Sequence, residues 1–115
     1  MESAYDYLVR VFQLGPGALF RDEAGRPVHG ELEAGDGVVW LHPELKRVRL
    51  ASPRSLGGSS STMAVMVEDV DTHFENAVKA GARIEHAPVD QPYGFREYSA
   101  WDCEDQLWSF MKALA

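Results

Sequence analysis

The chain has 115 residues, 45% of them hydrophobic, which is enough to bury about two-thirds of its unfolded surface around one core. Its formal net charge of −7 argues against nucleic-acid or anionic-membrane partners, because such surfaces need clustered cations to displace counterions. Cys103 is the only cysteine, which excludes an intrachain disulfide, and no apolar stretch approaches membrane-spanning length, so a cytoplasmic protein is expected.

In chain order, residues 3–14 read as a helix stopped by Gly15, with Tyr5, Leu8, Val11 and Phe12 recurring at helical spacing and Ser3 with Asp6 placed as a capping box. Residues 19–22, 28–33 and 38–42 come next as strands separated by the turns Glu23-Ala24-Gly25-Arg26 and Ala34-Gly35-Asp36-Gly37. The cations Lys46, Arg47, Arg49 and Arg54 are grouped in the connector between the two halves of the chain, a solvated run or a means of attracting an anionic ligand. Residues 51–61 are rich in Ser, Gly and Pro and read as a linker or flap.

Residues 62–67 read as a strand and 69–80 as a helix capped by Asp69 and stopped by Gly81. Further strands lie at 83–86, 96–101 and 107–111, with an irregular segment at 87–94 where Pro88 and Pro92 exclude a central ladder position. Tyr93 and Phe95 in and beside that segment are placed to close over something.

The two halves thus repeat one signal order. The second reads β-α-β-β-β and the first α-β-β-β, so the first lacks its opening strand. This divides the chain into an incomplete module at 1–50, a linker at 51–61 and a complete module at 62–115, together forming one α+β domain with helices outside an open, largely antiparallel sheet. The absent strand leaves an unpaired edge in the first sheet, and a homodimer is expected in which a partner element covers it, with exchange of modules as one way of doing so.

Val67-Glu68-Asp69-Val70-Asp71, Lys79-Ala80-Gly81-Ala82, the run from Gln91 to Ala100 and Leu107-Trp108-Ser109-Phe110 resemble the vicinal oxygen chelate superfamily of glyoxalases, bleomycin-resistance proteins and extradiol dioxygenases. His29-Gly30-Glu31-Leu32 with Gly35-Asp36, and Ser52-Pro53 through Gly57-Gly58-Ser59, resemble its bleomycin-resistance-like branch. The resemblance implies two β-α-β-β-β modules curving into a cup, usually in a dimer. It also implies that metal-using members draw ligands from the first and last strands of each module. One of those four strands is missing here, and the other three places hold Trp40, Thr62 and Ser109, none of them a good ligand for a divalent ion, so no metal or other cofactor is expected.

Strand alternation extends these positions to a candidate pocket. Leu107 and Met111 share a face with Ser109, Ala64 and Met66 share one with Thr62, and Val38 and His42 share one with Trp40. Trp101 and Tyr98 lie on opposite faces of their strand, so one of them joins the pocket. The ligand-binding candidates are therefore Val38, Trp40, His42, Thr62, Met66, Trp101, Leu107 and Ser109, with Trp40 either a stacking platform or simply core. No residue set stands out as catalytic. His42 reads as an acid or base or as a surface group, His29 and Glu31 as a metal-binding or proton-exchanging pair or as an ordinary polar pair, and His73 and His86 as exposed. Three functions stay open: a metal-independent protein sequestering a hydrophobic or aromatic small molecule, a metal-dependent lyase, isomerase or dioxygenase, and an interaction module without ligand.

Overall fold

The computed structural model describes residues 1–115. Helix α1 (Glu2–Arg10) leads into strands β1 (Gly15–Arg21), β2 (Pro27–Ala34) and β3 (Gly37–Leu41). A connector with a 3-10 turn at Lys46–Val48 and a short helix α2 (Pro53–Leu56) then reaches β4 (Met63–Met66), α3 (Val70–Lys79), β5 (Arg83–Asp90), β6 (Phe95–Trp101) and β7 (Leu107–Ala113). The first sheet has the order β1-β2-β3 and the second β4-β7-β6-β5, so both are open and the fold is α+β. All neighbours are antiparallel except β4 and β7, which are parallel because α3 carries the chain from β4 to the far side of its sheet.

Three details depart from the sequence expectation. Helix α1 ends at Arg10 rather than Leu14, and Gly15 opens β1 instead of capping the helix. The chain turns at Gln13, which adopts φ 60°. This is uncommon for a residue with a Cβ, and here it is held from outside, since the Gln13 amide donates to the His73 carbonyl and accepts from Asn76. Ser3 and Asp6 form no capping box, because the helix starts at Glu2 and leaves Ser3 inside its first turn with no side-chain cap. Strand β5 runs on to Asp90 through Pro88 by way of a register irregularity between His86 and Val89, which its outermost position tolerates.

The helix of the second half has the expected chemistry. Asp69 accepts a hydrogen bond from the Thr72 N–H at 3.0 Å, and Gly81 takes the left-handed conformation at φ +92° just beyond the last turn.

Alternation along the strands divides each sheet into a covered and a bare face. On the second sheet Tyr98, Ala100, Trp108, Phe110 and Val65 are buried. On the first, Leu32 is buried and Leu19, Val39 and Leu41 pack against the same core. Helix α1 and the turn beyond it touch both covered faces: Phe12 meets Phe110 and Trp108 at ring distances of 5.1 and 6.1 Å, while a Cβ on Gly30 of β2 would lie 3.2 Å from the Tyr5 ring. Further aromatic contacts join Tyr98 to Phe110 (5.3 Å) and to Phe74 of α3 (5.2 Å). Each such pair adds about 0.5–1.5 kcal/mol beyond its area burial, and the aromatic cluster forms the apolar part of the junction between the two halves.

The bare faces consequently point away from α1. Strands β3 and β4 each pair on one side only, and a hollow of about 370 Å³ opens between them, lined by Val38, Val39 and residues 63–66. The β2–β3 turn reaches β4 there: a Cβ on Gly35, which has φ +59°, would stand 2.9 Å from the Met66 carbonyl oxygen.

Candidate functional site

The bare face of the second sheet is built by β6 and β7 from Trp101, paired with Leu107, and from Ser99, paired with Ser109. This decides between the two faces of β6: Tyr98 lies on the covered face and Trp101 on the bare one. Trp101 is positioned twice over, because its indole N–H donates to Glu85 at 3.0 Å and the Arg83 guanidinium lies 5.7 Å from its ring. Arg83 is itself held by Asp105 at 2.7 Å. A planar cation near an aromatic ring is attracted to the negative π face, by about 0.5–1 kcal/mol where both are exposed.

Trp101, Leu107 and Thr62 line one hollow of about 820 Å³, closed on its other side by the connector from Gly57 to Ser61. Its walls are an indole, an aliphatic side chain, the Arg83–Asp105 ion pair and a row of hydroxyls and glycine backbone. Such a mix suits an amphiphilic small molecule, with apolar surface for burial and a few polar groups for orientation. Deeper on the same face, Ser99 and Ser109 are buried and share a hydrogen bond at 2.7 Å. Glu97 is buried beside them, and the Tyr93 hydroxyl donates to its carboxylate.

The remaining candidates lie elsewhere. Trp40 and His42 line a separate groove of about 330 Å³ between β3 and the 102–106 turn, and Val38 and Met66 border the hollow between β3 and β4. The eight residues therefore do not converge within one chain. Trp40 is 67% exposed, so it is not core. His42 donates from Nδ1 to the Pro43 carbonyl oxygen at 2.6 Å. His73, expected on an exposed helix face, is instead half-buried, and burial lowers its pKa.

Trp40 belongs to a strip on the bare face of the first sheet that single-strand reasoning does not reveal. Phe20 of β1 stands directly opposite His29 of β2, and Trp40 of β3 directly opposite Glu31. The His29 ring lies 5.5 Å from Phe20 and 5.0 Å, edge-on, from Trp40, and its Nε2 is 2.7 Å from Glu31 Oε2. The i,i+2 spacing of His29 and Glu31 is visible in the sequence, but their aromatic flanks depend on the strand register. Close approach of β1 to this pair requires Gly17, where any Cβ would overlap the Glu31 carbonyl oxygen.

No three His, Cys, Asp or Glu side chains converge anywhere in the chain. Trp40, Thr62 and Ser109, the three places to which the sequence resemblance points for metal ligands, offer an indole and two hydroxyls. That donor set does not fit a divalent cation.

No protein-family model matches the chain. Among solved structures it is similar to TioX from Micromonospora sp. ML1, at 34% identity over 99% of this chain and 89% of that one, with a TM-score of 0.72. It also shares its fold with a glyoxalase/bleomycin resistance protein/dioxygenase from Alicyclobacillus acidocaldarius, at 14% identity over 100% of this chain and 84% of that one, TM-score 0.71. The chain belongs to the same family as TioX and has the vicinal oxygen chelate fold. Among curated proteins, the chain is 30% identical to an uncharacterised protein of Mycobacterium bovis over 110 residues, 93% of this chain and 72% of that protein. It matches an uncharacterised protein of Mycobacterium tuberculosis at the same identity and spans 65% of its length.

Proposed function

We propose that this vicinal oxygen chelate protein is a metal-independent binding protein that sequesters a hydrophobic or aromatic small molecule in the cytoplasm. The observation that carries the reading is the 820 Å³ hollow, whose walls present Trp101 and Leu107 beside hydroxyls and the Arg83–Asp105 ion pair. A metal-dependent lyase, isomerase or dioxygenase would need at least three nitrogen, carboxylate or thiolate donors around one point.

The cup is completed by a second copy. Within one chain the bare faces of the two sheets turn away from α1, and the first carries Phe20, Val38 and Trp40 at 50–68% exposure. An apolar sheet face of that kind on a soluble chain marks an association surface. Strands β3 and β4 add two unpaired edges alongside it. The homodimer, with modules exchanged between copies, sets the first sheet of one chain over the second sheet of the other, so that Trp40 and Trp101 enclose one ligand.

The test is a fluorescence titration of the three tryptophans against a library of aromatic and aliphatic compounds, with light scattering for assembly and elemental analysis of protein purified without chelator. Saturable quenching by aromatic compounds, a dimer at micromolar concentration and no stoichiometric metal are expected. Absence of any binder, a monomer, or a transition metal at one per chain overturns the corresponding part.

A further inference from the structure

We infer that His29 and Glu31 form a proton-accepting anchor that selects planar ligands bearing an acidic hydroxyl group. This deepens the proposed binding function and rests on it.

The geometry assigns the protons. Glu31 is a carboxylate acceptor, so the imidazole nitrogen 2.7 Å from it, Nε2, carries the hydrogen and donates. His29 then exists as the Nε2–H tautomer, and Nδ1 holds a lone pair with no partner in the chain. Such an arrangement, a histidine oriented by a carboxylate with its second nitrogen free, leaves a lone pair to which a ligand hydroxyl can donate.

The surroundings state what kind of molecule would give that proton. Phe20 and Trp40 flank the imidazole on neighbouring strands, so a flat ring can lie against them while its substituent reaches Nδ1. A phenol or enol O–H fits. It hydrogen-bonds to Nδ1 and transfers its proton, leaving an oxyanion on the ligand and an imidazolium held between that oxyanion and Glu31. No electrons change hands and no other reactant is needed. An ether of the same ring has no proton to give and loses this interaction alone.

The experiment uses 4-nitrophenol and 4-nitroanisole, which share the ring and nitro group and differ in the acidic proton. Both are titrated into the full-length protein by tryptophan quenching, and the phenolate absorbance of bound 4-nitrophenol is recorded at a pH where the free compound is mostly neutral. A charge-assisted hydrogen bond predicts about tenfold tighter binding of the phenol, with phenolate absorbance appearing on binding. His29→Gln should abolish both the preference and the absorbance change, and Glu31→Gln should reduce them. Far-ultraviolet circular dichroism verifies that each variant folds, and light scattering that each keeps the assembly state of the wild type. Equal affinity of the wild type for the two compounds, or a preference that survives His29→Gln, overturns the anchor while leaving the aromatic-binding reading intact. Failure of both compounds to bind overturns the two together.

Discussion

The Tyr98 hydroxyl lies 2.6 Å from His73 Nδ1, on the covered face of the second sheet, while His73 Nε2 lies 2.9 Å from the carbonyl oxygen of Phe12. A carbonyl only accepts, so Nε2 carries the proton and Tyr98 must donate to Nδ1. One neutral imidazole thereby ties the turn after α1, helix α3 and strand β6 together. Replacing Tyr98 by Phe leaves Nδ1 as an unsatisfied acceptor in a half-buried setting and should cost about 1–2 kcal/mol. Urea denaturation should show a lower midpoint with an unchanged slope.

The same bond network sets a pH dependence. Burial lowers the His73 pKa below the ordinary value of 6.5, because the charged ring is poorly solvated there. The unfolded chain therefore takes up this proton at a higher pH than the folded one, and stability falls as pH drops below about 6.5. The acidic groups held low by their partners, Glu2 by Arg21 and Asp69 by the Thr72 N–H, lose their contributions only further down, within the carboxylate range. Stability measured from pH 7.5 to 5 should therefore decline more steeply for the wild type than for His73→Gln. Parallel curves would show that His73 does not titrate across folding.

Gly17 should be irreplaceable for a reason unrelated to turns. A methyl group there overlaps the Glu31 carbonyl, so Gly17→Ala must push β1 away from β2, breaking the hydrogen bond from the Gly17 N–H to the Tyr5 hydroxyl. A loss of about 2 kcal/mol or more is expected, together with a changed near-ultraviolet dichroism signal from Trp40. Gly58, which has open space around it, serves as the control and should tolerate alanine with little effect.

Cys103 should be a sluggish thiol. Burial raises its pKa first, and the charges of Asp102 and Glu104 raise it further, so little thiolate forms near neutral pH. Its reaction with a disulfide reagent at pH 8 should run slower than that of free glutathione, and unfolding in denaturant should remove the difference. Fast reaction in the native state would contradict this assignment.

Much of the architecture was legible because local chemistry and tertiary context agree. Asp69 and Gly81 bracket α3 as their side chain and backbone preferences dictate, and the alternation of Trp108 and Phe110 with Ser109 separates the two faces of β7. The end of α1 was not legible, since the left-handed Gln13 owes its conformation to α3, sixty residues away. The full length of β5 was hidden by Pro88, whose tolerance depends on there being no outer neighbour. For the site, alternation supplies relative faces within a strand but says nothing about which face a helix covers. The pocket candidates could therefore be named one strand at a time and not assembled. Phe20 escaped notice for the same reason: it meets His29 only through the pairing of β1 with β2.

Proline placement gives the molecule a built-in direction. The outer strand of each sheet carries one, Pro16 in β1 and Pro88 in β5, whereas β3 and β4 carry none. A missing amide hydrogen interrupts any ladder that a further chain tries to lay down on those rims. Growth by main-chain bonding is thus confined to the inner flanks, which face one another across a single gap. The two proline-bearing rims thus discourage an added strand, and the unpaired edges of β3 and β4 are the ones left free to bond.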